Sequence, residues 1–304
     1  MNNTNKNTTE GFILVLICGI CWGLMGVMTQ ALSNLGFDAF EISTFRPAVA
    51  AIFYVIYSFI TDRSVFKIDL KGLLFFAFYG IVTLDGMFLS FTYSVEYANI
   101  ATASVLLYIN PIFVMILSYF LFSEKMTWNK VLAIIIAMTG VFLLSKGYNP
   151  SAFKLSLVGI VAGAISGLMV ALQNVFGKWG VNRYPYKTQL VYSFLFAAVF
   201  MMFIRPPSVV LPKIDSGMDI LMILAIGIIG TVIPNGTFLK ALQHIEATKA
   251  SIIISVEPIV ASIMAYLLYK ETLEVLQMFG IVLILLSVLL MEANFSKKRK
   301  AERA

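Results

Sequence analysis

Residues 110–124 read NPIFVMILSYFLFSE, and residues 257–271 read EPIVASIMAYLLYKE. The two segments share a proline at the second position, a glutamate at the last and apolar residues between them. Polar markers that keep one spacing in both copies are not expected from chance similarity between apolar stretches. The segments therefore predict an internal repeat, in which Asn110 of the first copy stands where Glu257 stands in the second.

The repeat extends towards the start of each half. The segment CGICWGLM at 18–25 resembles AGAISGLM at 162–169 through shared glycines and a common Gly-Leu-Met ending. We therefore divide the chain into a first repeat at 11–146, a second at 155–293 and a short basic tail at 294–304.

The composition is that of a membrane protein. Hydrophobic residues make up 60% of the 304 residues and charged residues only 12%, with a mean hydropathy of +0.89, whereas a soluble domain carries about 25% charged residues. Apolar runs near 20 residues recur, each long enough to cross a hydrocarbon core of about 30 Å as a helix. We count ten spans: 11–33, 39–61, 72–92, 98–121, 129–146, 156–178, 187–204, 218–241, 247–269 and 275–293.

Each half holds five spans, and five is an odd number, so the second half must enter the membrane from the opposite side. The sequence thus predicts an all-α integral membrane fold of ten transmembrane helices arranged as two inverted five-helix repeats. Inverted repeats with a binding site at their midplane interface are typical of secondary transporters that work by alternating access.

The basic residues indicate the orientation. Sixteen of the 22 lysines and arginines fall on the side of the termini and five on the other side, which is the positive-inside pattern. We therefore expect both termini in the cytoplasm. The net charge of +6 is then explained by contact with anionic membrane lipid, and no nucleic-acid partner is expected.

Three charged residues are predicted well inside the spans: Arg46, Asp85 and Glu257. A charge at the centre of a membrane helix costs about 2.5–3.5 kcal/mol on insertion scales, so such residues face a cavity or a partner. Arg46 and Asp85 lie at similar depth, and we expect them to pair. Glu257 is then left to take up a proton or to hold a cationic ligand, or else it only hydrogen-bonds across the bundle.

Two prolines explain where the repeated polar residues stand. Pro111 and Pro258 cannot donate to the preceding turn, so each should break its helix near the membrane centre. Freed backbone groups are tolerated at that depth where they line a cavity. Asn110 and Glu257 should therefore lie beside broken helices at one central site.

Aromatic residues complete the predicted site. A tryptophan in the middle of a span is unusual, because this residue prefers the membrane interface. Trp22 is expected in the cavity wall near Tyr108, and plain packing within the bundle is the alternative. Aromatic faces beside a carboxylate attract organic cations. The candidate substrate-binding residues are Trp22, Arg46, Asp85, Tyr108, Asn110 and Glu257, of which Glu257 and Asp85 are the candidates for proton coupling.

The Trp-Gly pair at 22–23, Arg46 in the second span and the Pro–x12–Glu element in the fourth and ninth spans resemble the EamA family of the drug/metabolite transporter superfamily. The similarity covers essentially the whole chain. It implies a ten-helix bundle that transports a solute across the plasma membrane, but it does not fix the substrate.

We expect a secondary active transporter for a small polar or cationic metabolite or drug, such as an amine, a quaternary ammonium or an amino acid, coupled to protons. A flippase for a lipid-linked substrate or an accessory subunit of the same superfamily is the alternative. A membrane enzyme is disfavoured because the one histidine, His244, lies in a loop and no metal-ligand spacing occurs. No P-loop occurs either, so ATP is not expected to drive transport. No cofactor is expected, and the protein is predicted to be a monomer or a homodimer.

Overall fold

Ten apolar helices form the bundle in the part of the chain that the structure describes. The computed structural model describes the backbone of residues 2–150, 156–270 and 272–301 and the side chains of residues 8–150, 156–270 and 272–292. Every regular element within these residues is helical. The membrane helices are α1 Thr8–Asn34, α2 Ala39–Thr61, α3 Leu70–Tyr97, α4 Ile100–Phe122, α5 Trp128–Leu144, α6 Leu157–Val181, α7 Tyr186–Ile204, α8 Gly217–Leu242, α9 Ala247–Tyr269 and α10 Val275–Glu292.

The lengths of the helices suit a membrane. Nine of the ten described helices have at least 18 residues and are strongly apolar. The remaining helix, α5, has 17 residues and is about 26 Å long, which approaches the thickness of the hydrocarbon core. The predicted all-helical membrane fold with ten helices is confirmed. Glu271 and the side chains of the predicted tail at 294–304 lie outside the described residues.

The two halves share their irregularities. Helix α3 contains a π-helical stretch at Tyr79–Asp85, and α8 contains one at Ile228–Val232. Helices α4 and α9 each end in a left-handed residue, Ser123 with φ 55° and Lys270 with φ 56°, and these residues are 147 positions apart. Irregular backbone at corresponding places, where apolar sequence alone would give straight helices, shows that the repeat is structural.

Packing between the halves is reciprocal. Helix α1 packs against α8 and α9, and α6 packs against the corresponding α3 and α4. The pairs α2–α7 and α5–α10 join corresponding helices. In the α5–α10 pair, a Cβ on Gly140 would lie 2.8 Å from the Gly280 carbonyl oxygen, and one on Gly280 would lie 2.6 Å from the Gly140 oxygen. The two backbones approach so closely because neither glycine carries a side chain.

Ion pairs define the two ends of the bundle. At the end where α1 begins, which we call the terminal face, Glu10 pairs with Lys240 at 2.7 Å. At the opposite face, Lys213 pairs with Glu41 at 2.7 Å and Lys146 pairs with Glu274 at 2.8 Å. The first half therefore begins at the terminal face and ends at the opposite face.

Candidate functional site

Helices α4 and α9 are broken near the middle of the bundle, directly before a proline. The first part of α4 ends at Leu107 and its second part begins at Asn110. In α9, a short 3-10 turn at Ile254–Val256 separates the two parts, and the second part begins at Glu257. A proline fits the first turn of a helix because its missing N–H is not needed there.

The two residues that precede the prolines behave differently. Pro111 leaves the carbonyl of Leu107, four residues earlier, without its helical donor, and the side-chain amide of Asn110 donates to that carbonyl at 3.0 Å. In α9 the corresponding carbonyl of Ile254 accepts from the backbone N–H of Glu257. The carboxylate of Glu257 is thus not occupied with its own helix, and the hydroxyl of Tyr108 lies within hydrogen-bonding reach of it.

A cavity of about 160 Å³ lies between the breaks. Five of the six predicted binding residues line it, and only Asp85 does not. The first half contributes residues of four helices and the second half residues of α6 and α9. The lining residues are Trp22, Met25, Ser43, Arg46, Met87, Phe88, Phe91, Thr92, Leu107, Tyr108, Asn110, Val170, Gln173, Asn174, Ser251, Ile254 and Glu257.

Arg46 supplies the positive charge of the cavity. Its Nε donates to the Thr231 hydroxyl at 3.3 Å, and its guanidinium carbon lies 4.1 Å from the centre of the Phe88 ring. Arg46 and Glu257 are near enough for their charges to interact. Among the described residues, however, no ion pair within 4.0 Å joins them. One cavity therefore presents an arginine and a glutamate that are not neutralised by direct contact.

The predicted ion pair between Arg46 and Asp85 is wrong. Asp85 is fully buried, and neither of its carboxylate oxygens has a hydrogen-bond partner among the described residues. Asp85 ends the π-helical stretch of α3, and its side chain does not reach the cavity that Arg46 lines. Equal depth did not bring the two together because each residue of a helix is rotated by about 100° from the one before.

Several residues that line the cavity are not among the predicted site residues. Gln173 and Asn174 are adjacent amides in the middle of α6, and both are buried. Two adjacent amides inside an apolar span could have predicted that α6 faces a polar site. Arg46, which was predicted from its charge, shares a second feature with Asn110 and Glu257. It directly precedes a proline, Pro47, inside α2. Phe88 gave no signal, because aromatic residues occur throughout the chain.

A larger groove, of about 520 Å³, lies on the outside of the bundle between α3 and α6. Its walls are mainly apolar side chains such as Leu89, Val158 and Val161. No charged side chain of the described residues lines this groove. The chemistry for a polar ligand is therefore in the smaller central cavity.

The chain is similar to known transporters over most of its length. A crystal structure superposes with a TM-score of 0.79 over 97% of this chain and 98% of that chain, at 16% sequence identity, which shows a common fold. The uncharacterized inner membrane transporter YicL of Salmonella typhimurium is 26% identical, with 97% of this chain and 99% of that protein covered. The S-adenosylmethionine uptake transporter of Rickettsia prowazekii is 24% identical, with 88% and 90% covered.

The model of the EamA-like transporter family matches this chain twice, at residues 9–146 and 157–293. The two matches coincide with the two five-helix halves of the bundle, and together they cover most of the chain. Members of this family and the relatives above are transporters rather than enzymes. The ten-helix protein with a charged central cavity is thus a member of the EamA-like transporter family.

Proposed function

We propose that the protein is a secondary active transporter that carries a small amine, quaternary ammonium or amino acid across the plasma membrane. Binding takes place in the central cavity, between Arg46 and Glu257. The observation that carries the proposal is that these two opposite charges line one cavity without pairing. Charges left unpaired inside a membrane bundle are expensive unless a ligand of opposite charge or, for a carboxylate, a proton neutralises them.

The charges favour a substrate with an amino group. An ammonium on the substrate would be neutralised by Glu257, and the rings of Trp22 and Tyr108 would contact its cationic end. A carboxylate on the substrate would suit the planar guanidinium of Arg46, which can donate two parallel hydrogen bonds. An amino acid satisfies both charges, whereas an amine satisfies only Glu257.

The relatives named S-adenosylmethionine uptake transporters agree with this substrate class, because S-adenosylmethionine has an amino acid group and a sulfonium cation. Its size exceeds the present cavity, however. An apolar protein cavity of about 150 Å³ is known to hold benzene, and this cavity measures about 160 Å³. A substrate of a few heavy atoms fits as the cavity stands, and a larger one requires the two halves to move apart.

Alternating access follows from an inverted relationship between the halves. The first half begins at the terminal face, near Glu10, and ends at the opposite face, near Lys146. The cavity lies where the broken helices α4 and α9 meet, one from each half. Rocking of one such repeat against the other exposes a central site to the two sides in turn.

Proton coupling would use Glu257. It is the only carboxylate among the described residues that line the cavity, so a proton and a substrate ammonium compete for the same group. A proton bound from one side would then release the substrate to that side, which is proton antiport. No proton-binding side chain other than Glu257 is needed for this coupling.

The test is transport by the purified protein in proteoliposomes. Labelled amino acids, their decarboxylated amines and a quaternary ammonium are offered with and without a pH gradient. The proposal expects flux of at least one of these classes and faster flux with a gradient of one direction. Absence of flux for all three classes, with labelled lipid moved instead, would identify a flippase.

A further inference from the structure

The last residue of the first repeated segment, Glu124, holds the start of α9. It follows α4 at the terminal face, and its carboxylate accepts from the backbone N–H of Ala247 at 3.0 Å and from the Thr248 hydroxyl at 2.7 Å. The first N–H groups of a helix lack helical partners and attract an anion. Glu124 thus joins the end of a helix in the first half to the beginning of a helix in the second.

A buried lysine strengthens the same contact. Lys130 of α5 lies 2.9 Å from the carboxylate of Glu246 and 3.8 Å from that of Glu124. The side chains of Lys130 and Glu124 are only 6% and 7% exposed. Lys249 also lies 3.5 Å from the carboxylate of Glu246. Charges that are so deeply buried cannot be separated without leaving one of them uncompensated.

The positions that correspond to Lys130 and Glu246 are neutral at the opposite face, whereas Glu124 corresponds to a second glutamate, Glu271. At the offset of 147, Lys130 corresponds to Gln277 and Glu246 corresponds to Asn99. Gln277 is also buried, but it donates to the Leu144 carbonyl at 2.9 Å, within the α5–α10 pair. The repeat therefore places the Lys130–Glu246 ion pair at the terminal face only.

We propose that Glu124, Lys130 and Glu246 form a latch that keeps the central cavity closed towards the terminal face. The proposal rests on the alternating-access function proposed above. Opening on that side separates the end of α4 from the start of α9, and the latch crosses this junction. At the opposite face Gln277 and Asn99 replace the Lys130–Glu246 pair, and the Lys146–Glu274 pair there is more exposed and therefore weaker. The resting protein thus favours the state that opens at the opposite face.

The experiment measures access to the cavity directly. Ser251 lines the cavity on α9, between the latch and the break, and serves as a reporter after Ser251→Cys in a background without Cys18 and Cys21. A membrane-impermeant maleimide is applied from the terminal face. Vesicles that expose this face are selected by a carboxyl-terminal tag on the protein. Lys130→Met removes the central charge, and Lys130→Arg keeps it.

The latch predicts that Lys130→Met raises the labelling rate about tenfold, which corresponds to about 1.4 kcal/mol in the equilibrium between the two states. Lys130→Arg should stay near the parent rate. Gln277→Met, the matched change at the opposite face, should not raise it. Equal labelling of Lys130→Met and its parent would overturn the latch.

Two further arms keep the result interpretable. Should Lys130→Met fail to reach the membrane, Glu246→Gln replaces it, because the Glu246 side chain is 38% exposed and tolerates substitution better. A raised labelling rate again supports the latch, and labelling equal to the parent again overturns it. A transported solute is also added to the parent reporter. A solute-dependent labelling rate supports alternating access whatever the latch variants do, so failure of the latch is distinct from failure of the proposed function.

Discussion

Asn110 and Glu257 occupy equivalent positions in the two halves, but only Asn110 uses its side chain to satisfy its own helix. Its amide donates to the carbonyl that Pro111 leaves free, at 3.0 Å. In the second copy, the corresponding carbonyl is that of Ile254, and it accepts from the backbone N–H of Glu257 instead. Both copies of the repeat thus break a helix at the cavity, and the second copy leaves a carboxylate there that no backbone group requires.

Replacement of Asn110 by alanine should destabilise the protein without removing any charge. The Leu107 carbonyl would lose its donor at the break, and an unsatisfied buried polar group costs about 1–3 kcal/mol. We expect a lower melting temperature of the purified variant in detergent. A melting temperature equal to that of the parent would mean that water or another group serves this carbonyl.

Replacement of Arg46 by alanine should change the choice of substrate. Loss of a charge-assisted hydrogen bond costs about 1.5–3 kcal/mol, so binding of an amino acid should weaken roughly 10–100-fold. The corresponding amine lacks the carboxylate and should lose much less. Competition between the two solutes in a transport assay measures this ratio. An equal loss for both would contradict recognition of a carboxylate by Arg46.

Replacement of Gly140 by alanine should loosen the α5–α10 pair. The new methyl group would lie 2.8 Å from the Gly280 carbonyl oxygen, and overpacking of this kind costs about 1–3 kcal/mol. Gly26→Ala is the matched control, because no atom lies within 4 Å of the position of its Cβ. Thermal unfolding should be earlier for Gly140→Ala than for Gly26→Ala. Identical unfolding of the two would show that the close contact is unimportant.

The latch should remain closed when the pH is lowered from about 7.5 to about 5.5. Burial alone would raise the pKa of Glu246, but Lys130 and Lys249 outweigh it and hold the pKa below the ordinary value of 4.5. A lowered pKa gives stabilisation that is fully present above the ordinary value and is lost as the pH falls through the lowered one. The labelling rate of Ser251→Cys from the terminal face, divided by the rate for a free thiol such as glutathione at the same pH because only the thiolate reacts, should therefore not rise between about pH 7.5 and pH 5.5. A steep rise would show that protonation opens the latch.

The fold could be predicted from sequence because a membrane leaves few choices. Apolar runs must be helices, and their number and approximate ends follow from hydropathy. The predicted span 129–146 compares with Trp128–Leu144 in the structure, and 72–92 compares with Leu70–Tyr97. The largest difference is at the end of α3, where the π-helical stretch shifts the face of the helix and polar residues extend it beyond the apolar run.

The site was only partly predictable. A proline preceded by a polar residue gave the positions of Asn110 and Glu257, because a broken helix near the membrane centre needs a cavity. The direction in which a side chain points depends on helix rotation, which depth alone does not give. For that reason Asp85 was assigned to Arg46, whereas the structure places Phe88 and Thr231 beside the guanidinium.

The most direct test of the account concerns Glu257. Parent protein, Glu257→Gln and Asn110→Ala are reconstituted at equal amounts, and uptake of one transported amine or amino acid is measured with and without an imposed pH gradient. The ratio of the two rates should exceed one for the parent and for Asn110→Ala, and it should fall to one for Glu257→Gln, which keeps the shape of the side chain but cannot bind the proton. A Glu257→Gln protein whose uptake responds to the gradient like the parent would contradict the account and would make Asp85 the carboxylate to examine.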